Sequence, residues 1–207
     1  MAEVEIRSEN LPPYDNNCYV LVCPETRESL VIDAPSEPDK IVALAQGTTI
    51  KQIVITHNHR DHWGALAELK EKTKAQVAAH PADANALPVA LDVPLLGGES
   101  LQIGTISVSV IHTPGHTPGS LCLLTGHHLF TGDTLFPGGP GATRTNAALI
   151  QTIQSITSKL FVLPDSTKVY PGHGAGAELG PEKQQYAIFA GKSHDPNLCG
   201  DVTWLGS

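Results

Sequence analysis

Four side chains that can bind a metal ion fall within the six residues that follow the apolar run IVIT. They are His57, His59, Asp61 and His62 in the segment THNHRDH. A strand that ends in a tight loop can turn such side chains into one cavity, where His57 and His59 share one cation and Asp61 and His62 reach a second. Packing this group beside a buried strand without a cation would cost several kcal/mol. The segment therefore indicates a metal site rather than a solvated loop.

Three further candidate ligands stand at the ends of later apolar runs, each with glycine beside it. They are His116 in HTPGHTPGS, Asp133 in FTGDTLF and His173 in YPGHGAG. Glycine permits backbone turns that other residues resist, so it is expected where a strand must deliver a ligand abruptly into a shared site. Together with the first four, these residues form what we call the seven-ligand cluster.

Five imidazoles and two carboxylates in this cluster would leave two divalent cations with net positive charge, even with a bridging hydroxide. A bound metal lowers the pKa of water to about 7, and a second metal can hold the developing oxyanion. The expected chemistry is therefore hydrolysis by a metal-bound hydroxide, with Asp61 also accepting a hydrogen bond from that hydroxide. The expected cofactors are two Zn²⁺ ions, with Fe or Mn as alternatives.

Short apolar runs bounded by turn residues predict the strands that hold these loops. The predicted strands are residues 18–23, 29–33, 51–57, 75–80, 106–112, 120–125, 127–133 and 168–173. Apolar residues at helical spacing predict helices over 146–161, around Ala65–Leu69, and from about Asp39 to Gly47. Strands come first in pairs and then alternate with helices, which favours two mixed sheets packed face to face with helices outside.

Length and charge limit the class of protein. A chain of 207 residues with 41% hydrophobic content predicts one domain over residues 1–207. A net charge of −8 with 13 basic residues argues against binding to nucleic acid. The acidic N-terminus resembles no secretory or transit segment, and no run of 18 apolar residues occurs, so we expect no membrane association and a cytoplasmic protein.

The cysteines are too few for a disulfide scaffold and lack the C-x-x-C spacing of a structural zinc site. We predict that they are ordinary reduced residues. They are Cys18, Cys23, Cys122 and Cys199.

The order H-x-H-x-D-H, a later His, a later Asp and a final His resembles the metallo-β-lactamase superfamily over roughly residues 15 to 175. The resemblance implies a four-layer α/β/β/α sandwich with the metals at one edge. It places the seven ligands as follows: His57, His59 and His116 on one metal, Asp61, His62 and His173 on the other, and Asp133 between them. Asp33 in VIDAP matches an acidic residue beside the site that would orient a ligand, the alternative being a buried helix N-cap.

The segment GDTLFPGGPGATR is similar to the glycine-rich loop of glyoxalase II, or hydroxyacylglutathione hydrolase. This similarity implies a small-molecule thioester substrate, whose departing thiolate needs no strong acid because its thiol pKa is about 8.5. The basic residue of that family's loop is displaced here, so Arg144 is the candidate substrate contact, with a surface salt bridge as the alternative. The roughly 34 residues after His173 cannot form that family's helical C-terminal domain, and we expect this tail to cover the site.

Other functions share parts of this pattern. Persulfide dioxygenases resemble glyoxalase II but use one iron bound by two histidines and a carboxylate. Phosphodiesterases and tRNA-processing nucleases use the same ligand motif, although they need a basic surface, and lactonases are a further alternative. Aspartate at position 133 disfavours β-lactamase activity, and an open coordination position disfavours a purely structural site. The acyl group, the thiol and the oligomeric state are not determined by these residues.

Overall fold

The computed structural model describes residues 3–207. Within that range the strands are β1 (Glu5–Leu11), β2 (Asn16–Val22), β3 (Glu28–Ile32), β4 (Thr49–Val54), β5 (Gln76–Ala79), β6 (Val93–Pro94), β7 (Ser100–Ile103), β8 (Ile106–His112), β9 (Leu121–Thr125), β10 (His128–Gly132), β11 (Leu135–Phe136), β12 (Gly139–Pro140), β13 (Lys168–Pro171) and β14 (Ala177–Glu178). The helices of the same range are α1 (Pro38–Leu44), α2 (Leu66–Thr73), α3 (Asn146–Ser155) and α4 (Leu179–Ala190). A π-helical turn, Ile156–Leu160, continues α3, and 3₁₀ turns occupy Arg60–His62 and Pro81–Ala86.

Most strands belong to two six-stranded sheets. The first has the order β1-β2-β3-β4-β5-β6, antiparallel as far as β3 and parallel from β3 onward. The second has the order β14-β13-β10-β9-β8-β7, in which only β10 and β13 run parallel. Both sheets are mixed, as the sequence predicted.

Alternate residues along the strands divide the core into layers, because successive side chains of a strand point to opposite faces. In β3, Leu30 faces the other sheet, whereas Val31 packs with the residues of α1 and α2. In β10, Phe130 faces the first sheet and Leu129 packs with α3 and α4. The resulting order is helices, sheet, sheet, helices, so the predicted four-layer sandwich is confirmed.

The N-terminal strand β1 was missed by sequence reasoning. Its residues EIRSENL show no apolar alternation, and only Leu11 is fully buried. The strand nevertheless pairs with β2 along its whole length, from Glu5 opposite Val22 to Leu11 opposite Asn16. Pairing with β2, together with the packing of Ile6 and Leu11 on the core, therefore places this strand in the sheet.

The C-terminal tail forms helix α4, which the sequence analysis did not predict. Leu179 and Phe189 of this helix are buried beside α3, and Lys183 forms an ion pair with Asp165. Beyond it, the backbone N–H of Trp204 donates to the carbonyl of Gly138 in the glycine-rich loop. The expectation that the tail covers the site is therefore not met by Lys183, which pairs with Asp165, and the tail instead contacts the glycine-rich loop through Trp204.

The cysteines form no disulfide among residues 3–207. Cys18, Cys23 and Cys122 are buried free thiols, and Cys199 is an exposed one. Among residues 3–207 we find no helix with the length and apolar character that a bilayer crossing requires.

Candidate metal centre

All residues of the seven-ligand cluster lie beyond the carboxyl ends of strands. His57 to His62 follow β4 of the first sheet, and His116 lies in the loop between β8 and β9. Asp133 comes directly after β10, and His173 comes shortly after β13. Because β10 and β13 are parallel neighbours, their following loops meet at the same edge of the second sheet. The two sheets therefore present their ligands to one shared site.

Three histidines form the first group of ligand atoms. Nδ1 of His59 lies 3.0 Å from Nε2 of His57 and 2.9 Å from Nε2 of His116. Oδ2 of Asp133 lies 3.8 Å and 3.6 Å from the same two Nε2 atoms. Nitrogen ligands about 2.0–2.1 Å from a tetrahedral zinc ion are ~3.3 Å from one another, so these spacings fit a single cation.

The second group contains two histidines and a carboxylate. Nε2 of His62 lies 3.1 Å from Nε2 of His173, and Oδ2 of Asp61 lies 3.3 Å and 3.7 Å from the nitrogens of His173 and His62. Oδ1 of Asp133 is 3.3 Å from Nε2 of His62, and its Oδ2, which faces the first group, is also 3.4 Å from Nε2 of His173. Asp133 therefore stands between the two groups.

The outer ring nitrogens of two of these histidines are bonded to backbone carbonyls. Nδ1 of His116 lies 2.8 Å from the carbonyl oxygen of Ala142, and Nδ1 of His173 lies 2.8 Å from that of Tyr14. A carbonyl oxygen only accepts, so each Nδ1 must carry the proton and donate it. In a neutral ring, Nε2 then holds a lone pair that points into the site, the arrangement found in metal-binding histidines.

Asp33 connects the first sheet to this site. Its Oδ2 lies 2.8 Å from Nδ1 of His62 and accepts a hydrogen bond from the hydroxyl of Thr56, while its Oδ1 accepts from the backbone N–H of Thr56. The alternative role as a helix N-cap does not apply, because α1 begins at Pro38 after Glu37. Asp33 thus fixes the orientation of the His62 ring.

One oxygen in the site has no partner among the described residues. Oδ1 of Asp133 is buried and makes no hydrogen bond, although Nε2 of His62 is only 3.3 Å away. Leaving a buried charged oxygen unsatisfied is costly, whereas a cation placed between these two atoms would satisfy both. The residues present therefore fit a bound divalent cation.

Burial keeps three of the histidines neutral. It is the main cause of the lowered pKa of His57, of His59 and of His116, and neighbouring imidazoles lower these values further. Neutral imidazole is the form that binds metals. The first group is thus held in the ligand form near neutral pH.

In the second group, the carboxylates have the largest net effect on the pKa values of the histidines. Burial opposes protonation of His62, but Asp33 and Asp133 outweigh it and raise the pKa of His62 to about 10. Burial likewise opposes protonation of His173, while Asp133 and Asp61 raise its pKa to about 10. The pKa of Asp133 is far below its usual range, because the nearby histidines outweigh its burial. These ionised carboxylates require positive charge, which a divalent cation supplies.

Sequence reasoning missed Asn16, a buried residue at the start of β2. Its Nδ2 donates to Oδ2 of Asp61 at 3.0 Å and lies 3.4 Å from Nε2 of His173. Asn16 also pairs with His173 through an isolated β-bridge. A single polar residue before an apolar strand gives no sequence signal for this role.

Asp83 was also missed, although it braces two of the ligand-bearing loops. Its carboxylate accepts from the backbone N–H of Asn58 at 3.1 Å and from the hydroxyl of Thr117 at 2.6 Å. It also accepts from the backbone N–H of Gly119. The loop with His57 is thereby tied to the loop with His116.

Two glycines beside the ligands serve different purposes. Gly132 adopts a φ of 47°, which supports the predicted need for an unusual turn before Asp133. Gly172 has no such requirement. A Cβ atom there would overlap Oδ1 of Asp133 and lie 2.6 Å from Cε1 of His62. Gly172 is therefore needed for space, not for backbone freedom.

The two arginines near the site differ in their surroundings. Arg144 is exposed in the segment before α3, two residues beyond Ala142. Arg60 is also exposed, but it stands between the candidate ligands His59 and Asp61 in the chain, and with Tyr14 and Asp61 it lines an open cleft of about 340 Å³. The sequence analysis did not single out Arg60.

Replacing Asp33 with asparagine is expected to weaken zinc binding about 10- to 100-fold, because the ring of His62 loses its anionic partner. Zinc affinity would be measured by competition with a chromogenic chelator. Asp92→Asn is the matched control, since Asp92 also accepts from a backbone N–H but pairs with Lys70 at the surface. Equal zinc affinity in the two variants would contradict the orienting role of Asp33.

Comparison with known proteins shows the family to which this chain belongs. The family model described as the metallo-beta-lactamase superfamily matches residues 11–173. A hydroxyacylglutathione hydrolase from Nitrosococcus oceani is 35% identical over 199 residues, which cover 89% of this chain and 75% of the relative. Matches to further proteins of that name, from Polaromonas and Rhodopseudomonas palustris, span 62% of the relatives' length. The family match includes every residue of the seven-ligand cluster, from His57 to His173.

Two solved structures share the fold. ETHE1 from Myxococcus xanthus superimposes with a TM-score of 0.81 at 30% identity, covering 91% of this chain and 86% of that one. The BLEG-1 B3 metallo-beta-lactamase superimposes with a TM-score of 0.77 at 28% identity, covering 87% and 97% of the two chains. The same architecture is thus found both in ETHE1 and in a B3 metallo-beta-lactamase, so the fold alone does not define the reaction.

Proposed function

Because this chain belongs to the metallo-beta-lactamase superfamily, we propose that it is a metal-dependent hydrolase that cleaves small-molecule thioesters. The observation that carries the proposal is the position of Asp133, whose carboxylate lies within 3.8 Å of histidine nitrogens of both groups. In this proposal His57, His59 and His116 would hold one divalent cation, Asp61, His62 and His173 would hold the other, and Asp133 would be shared. Nitrogen-rich ligands favour zinc, with iron and manganese as alternatives.

A bound pair of divalent cations supplies two things, a lowered pKa of water and polarisation of the substrate carbonyl. The protein contributes the orientation of the attacking water. Hydrogen bonds from His173 and Asn16 keep the pKa of Asp61 below its usual range, although burial opposes them. Asp61 is therefore ionised at neutral pH and can accept a hydrogen bond from that water. Asn16 holds Oδ2 of Asp61 in place while it does so.

The surroundings of Asp61 support a substrate with an anionic part. Arg60 and Tyr14 line the cleft that opens beside Asp61, and Tyr14 is largely exposed. A guanidinium can bind a carboxylate through two parallel hydrogen bonds, as would be needed for an acidic thiol carrier. We therefore assign the substrate contact to Arg60. Arg144, which the sequence analysis named as the candidate contact, is the alternative.

A panel of substrates tests the proposed activity. The panel contains acyl-thioesters of acidic and neutral thiols, a lactone, a β-lactam and a phosphodiester, assayed with protein of measured zinc, iron and manganese content. We expect the thioester of an acidic thiol to have the highest kcat/KM. Arg60→Gln should raise KM for that thioester about 10-fold, as expected for loss of a charge-assisted contact, and Arg144→Gln serves as the matched comparison. Turnover of the phosphodiester alone would overturn the proposed substrate class.

The sequence-based alternative is oxidation of a persulfide at a single iron. It receives some support from the similarity to the ETHE1 structure, but less than thioester hydrolysis receives from the relatives named hydroxyacylglutathione hydrolase. The same preparation distinguishes the two. One iron per chain with oxygen uptake would favour the alternative, whereas two zinc ions without oxygen uptake would favour hydrolysis.

We also propose that residues 1–207 act as one domain on small molecules, without nucleic acid. The apolar cluster shared by both sheets, with Leu30 and Phe130 among its members, supports a single folding unit. The low count of basic residues supports the exclusion of nucleic acid.

A further inference from the structure

A second group of possible metal ligands lies at the opposite end of β10 from Asp133. It contains Glu3, His127 and His128, whose ligand atoms all lie within 4.8 Å of one another. The five residues of β10 separate this group from Asp133 by ~16 Å, given the rise of a strand per residue. We call these three residues the β10 histidine cluster. None of them belongs to the seven-ligand cluster.

His128 provides the observation that points to a ligand. The residue is only 7% exposed, and its Nδ1 lies 2.9 Å from the hydroxyl of Tyr170. Its Nε2 is buried and has no hydrogen-bond partner among the described residues. When Nδ1 donates to Tyr170, Nε2 carries an unpaired lone pair, which is costly to bury. A histidine is prepared to bind a metal when one ring nitrogen is hydrogen-bonded, as Nδ1 is here, and the other, here Nε2, is free.

The other two members lie on the exposed side of the same cavity. His127, His128 and Glu3 line a hollow of about 270 Å³. The rings of His127 and His128 are 4.1 Å apart between centroids, and Oε1 of Glu3 is 3.9 Å from Nε2 of His128. Ligands of one zinc ion are ~3.3 Å apart, so a small rotation of the exposed Glu3 side chain would complete the spacing.

The charged groups that face His128 have opposite signs. Oε1 of Glu3 is 3.9 Å from Nε2 of His128 and would attract a cation. Lys168 faces His128 from the parallel strand β13 and would weaken, without preventing, the binding of a cation.

We propose that the β10 histidine cluster binds one divalent cation of the zinc class, separately from the seven-ligand cluster. Two imidazole nitrogens and one carboxylate oxygen are a ligand set that zinc accepts, with water completing a tetrahedron. Glu3 lies two residues before the start of β1 in the first sheet, whereas His128 is the first residue of β10 in the second sheet and His127 directly precedes it. A cation bound here would therefore join the two sheets at the end that lies away from the candidate metal centre.

Equilibrium dialysis against a defined concentration of free Zn²⁺ tests this site by counting bound zinc per chain. His127→Ala should bind one equivalent less than the natural chain, and Glu3→Gln should bind this equivalent more weakly. Both residues are exposed, so neither variant should fail to fold. Because the readout is a difference in zinc content, it does not depend on the proposed hydrolysis, whose rate should be unchanged in both variants.

His112→Ala is the matched control. His80 and His112 also form a stacked pair, with ring centroids 4.0 Å apart, but a ring nitrogen of each is already bonded to the backbone. This variant should keep the full zinc content. An unchanged zinc content in His127→Ala would overturn the proposal, and so would an equal loss in His112→Ala, which would indicate unspecific binding to surface histidines.

Discussion

Asp133→Ala is expected to reduce kcat/KM for a thioester by ~10³-fold or more and to lower the metal content from two ions to one. The physical reason is the position of this side chain. Its carboxylate faces both groups of ligand atoms, and it is the only carboxylate that the first group contains among residues 3–207. Removing it leaves one cation with three neutral histidines and takes away the shared anionic ligand.

The measurement combines steady-state kinetics with metal analysis of the same protein sample. Asp165→Ala is a suitable control, because Asp165 is an exposed carboxylate that pairs with Lys183. Thermal melting of the metal-free proteins shows whether the fold is retained. Full activity of Asp133→Ala with one metal ion per chain would refute the two-metal mechanism.

Gly172→Ala is expected to weaken zinc binding and hydrolysis by ~10²-fold or more, although it removes no ligand. The added methyl group would occupy space now held by Oδ1 of Asp133 and by the ring of His62. The ring of His62 is held on its other side by Asp33. The added methyl group would therefore push His62 and Asp133 out of their present positions. A displacement of about 1 Å is enough to disturb a catalytic geometry to this extent.

The matched control is Gly191→Ala at the end of α4. A Cβ atom there would meet its nearest neighbours at 3.6 Å, which is an ordinary contact. Overpacking at Gly172 also costs about 1–3 kcal/mol of stability, so melting temperatures must be recorded together with zinc affinities. Unchanged zinc affinity in a folded Gly172→Ala protein would show that the site tolerates the displacement.

The amino-acid sequence was sufficient to predict that the residues of the seven-ligand cluster come together, and to predict the strands that precede them. Apolar runs such as IVIT and HHLFTGD carry their information locally, because burial and strand formation depend on consecutive side chains. The strand β1 escaped prediction for the same reason. Its place in the sheet depends on pairing with β2, and its own residues show no alternating pattern.

The roles of Asn16, Asp83 and Gly172 became visible only in the folded chain. Asp83 acts on a residue 34 positions away, Thr117, and Asn16 acts on one 45 positions away, Asp61. Neither residue type nor spacing distinguishes them from ordinary loop residues. Gly172 resembles the other glycines beside ligands, but only the packing of Asp133 and His62 against it shows that space is the requirement.

The sequence alone therefore predicted a metal centre, since the types and order of the candidate ligands are typical of one. The tertiary structure decided how the ligand atoms are divided and supported. That division depends on the pairing of β10 with β13 and on the packing of two sheets, which bring together atoms from loops more than a hundred residues apart, as with His62 and His173. Such contacts follow from the global arrangement of strands, which no short stretch of sequence encodes.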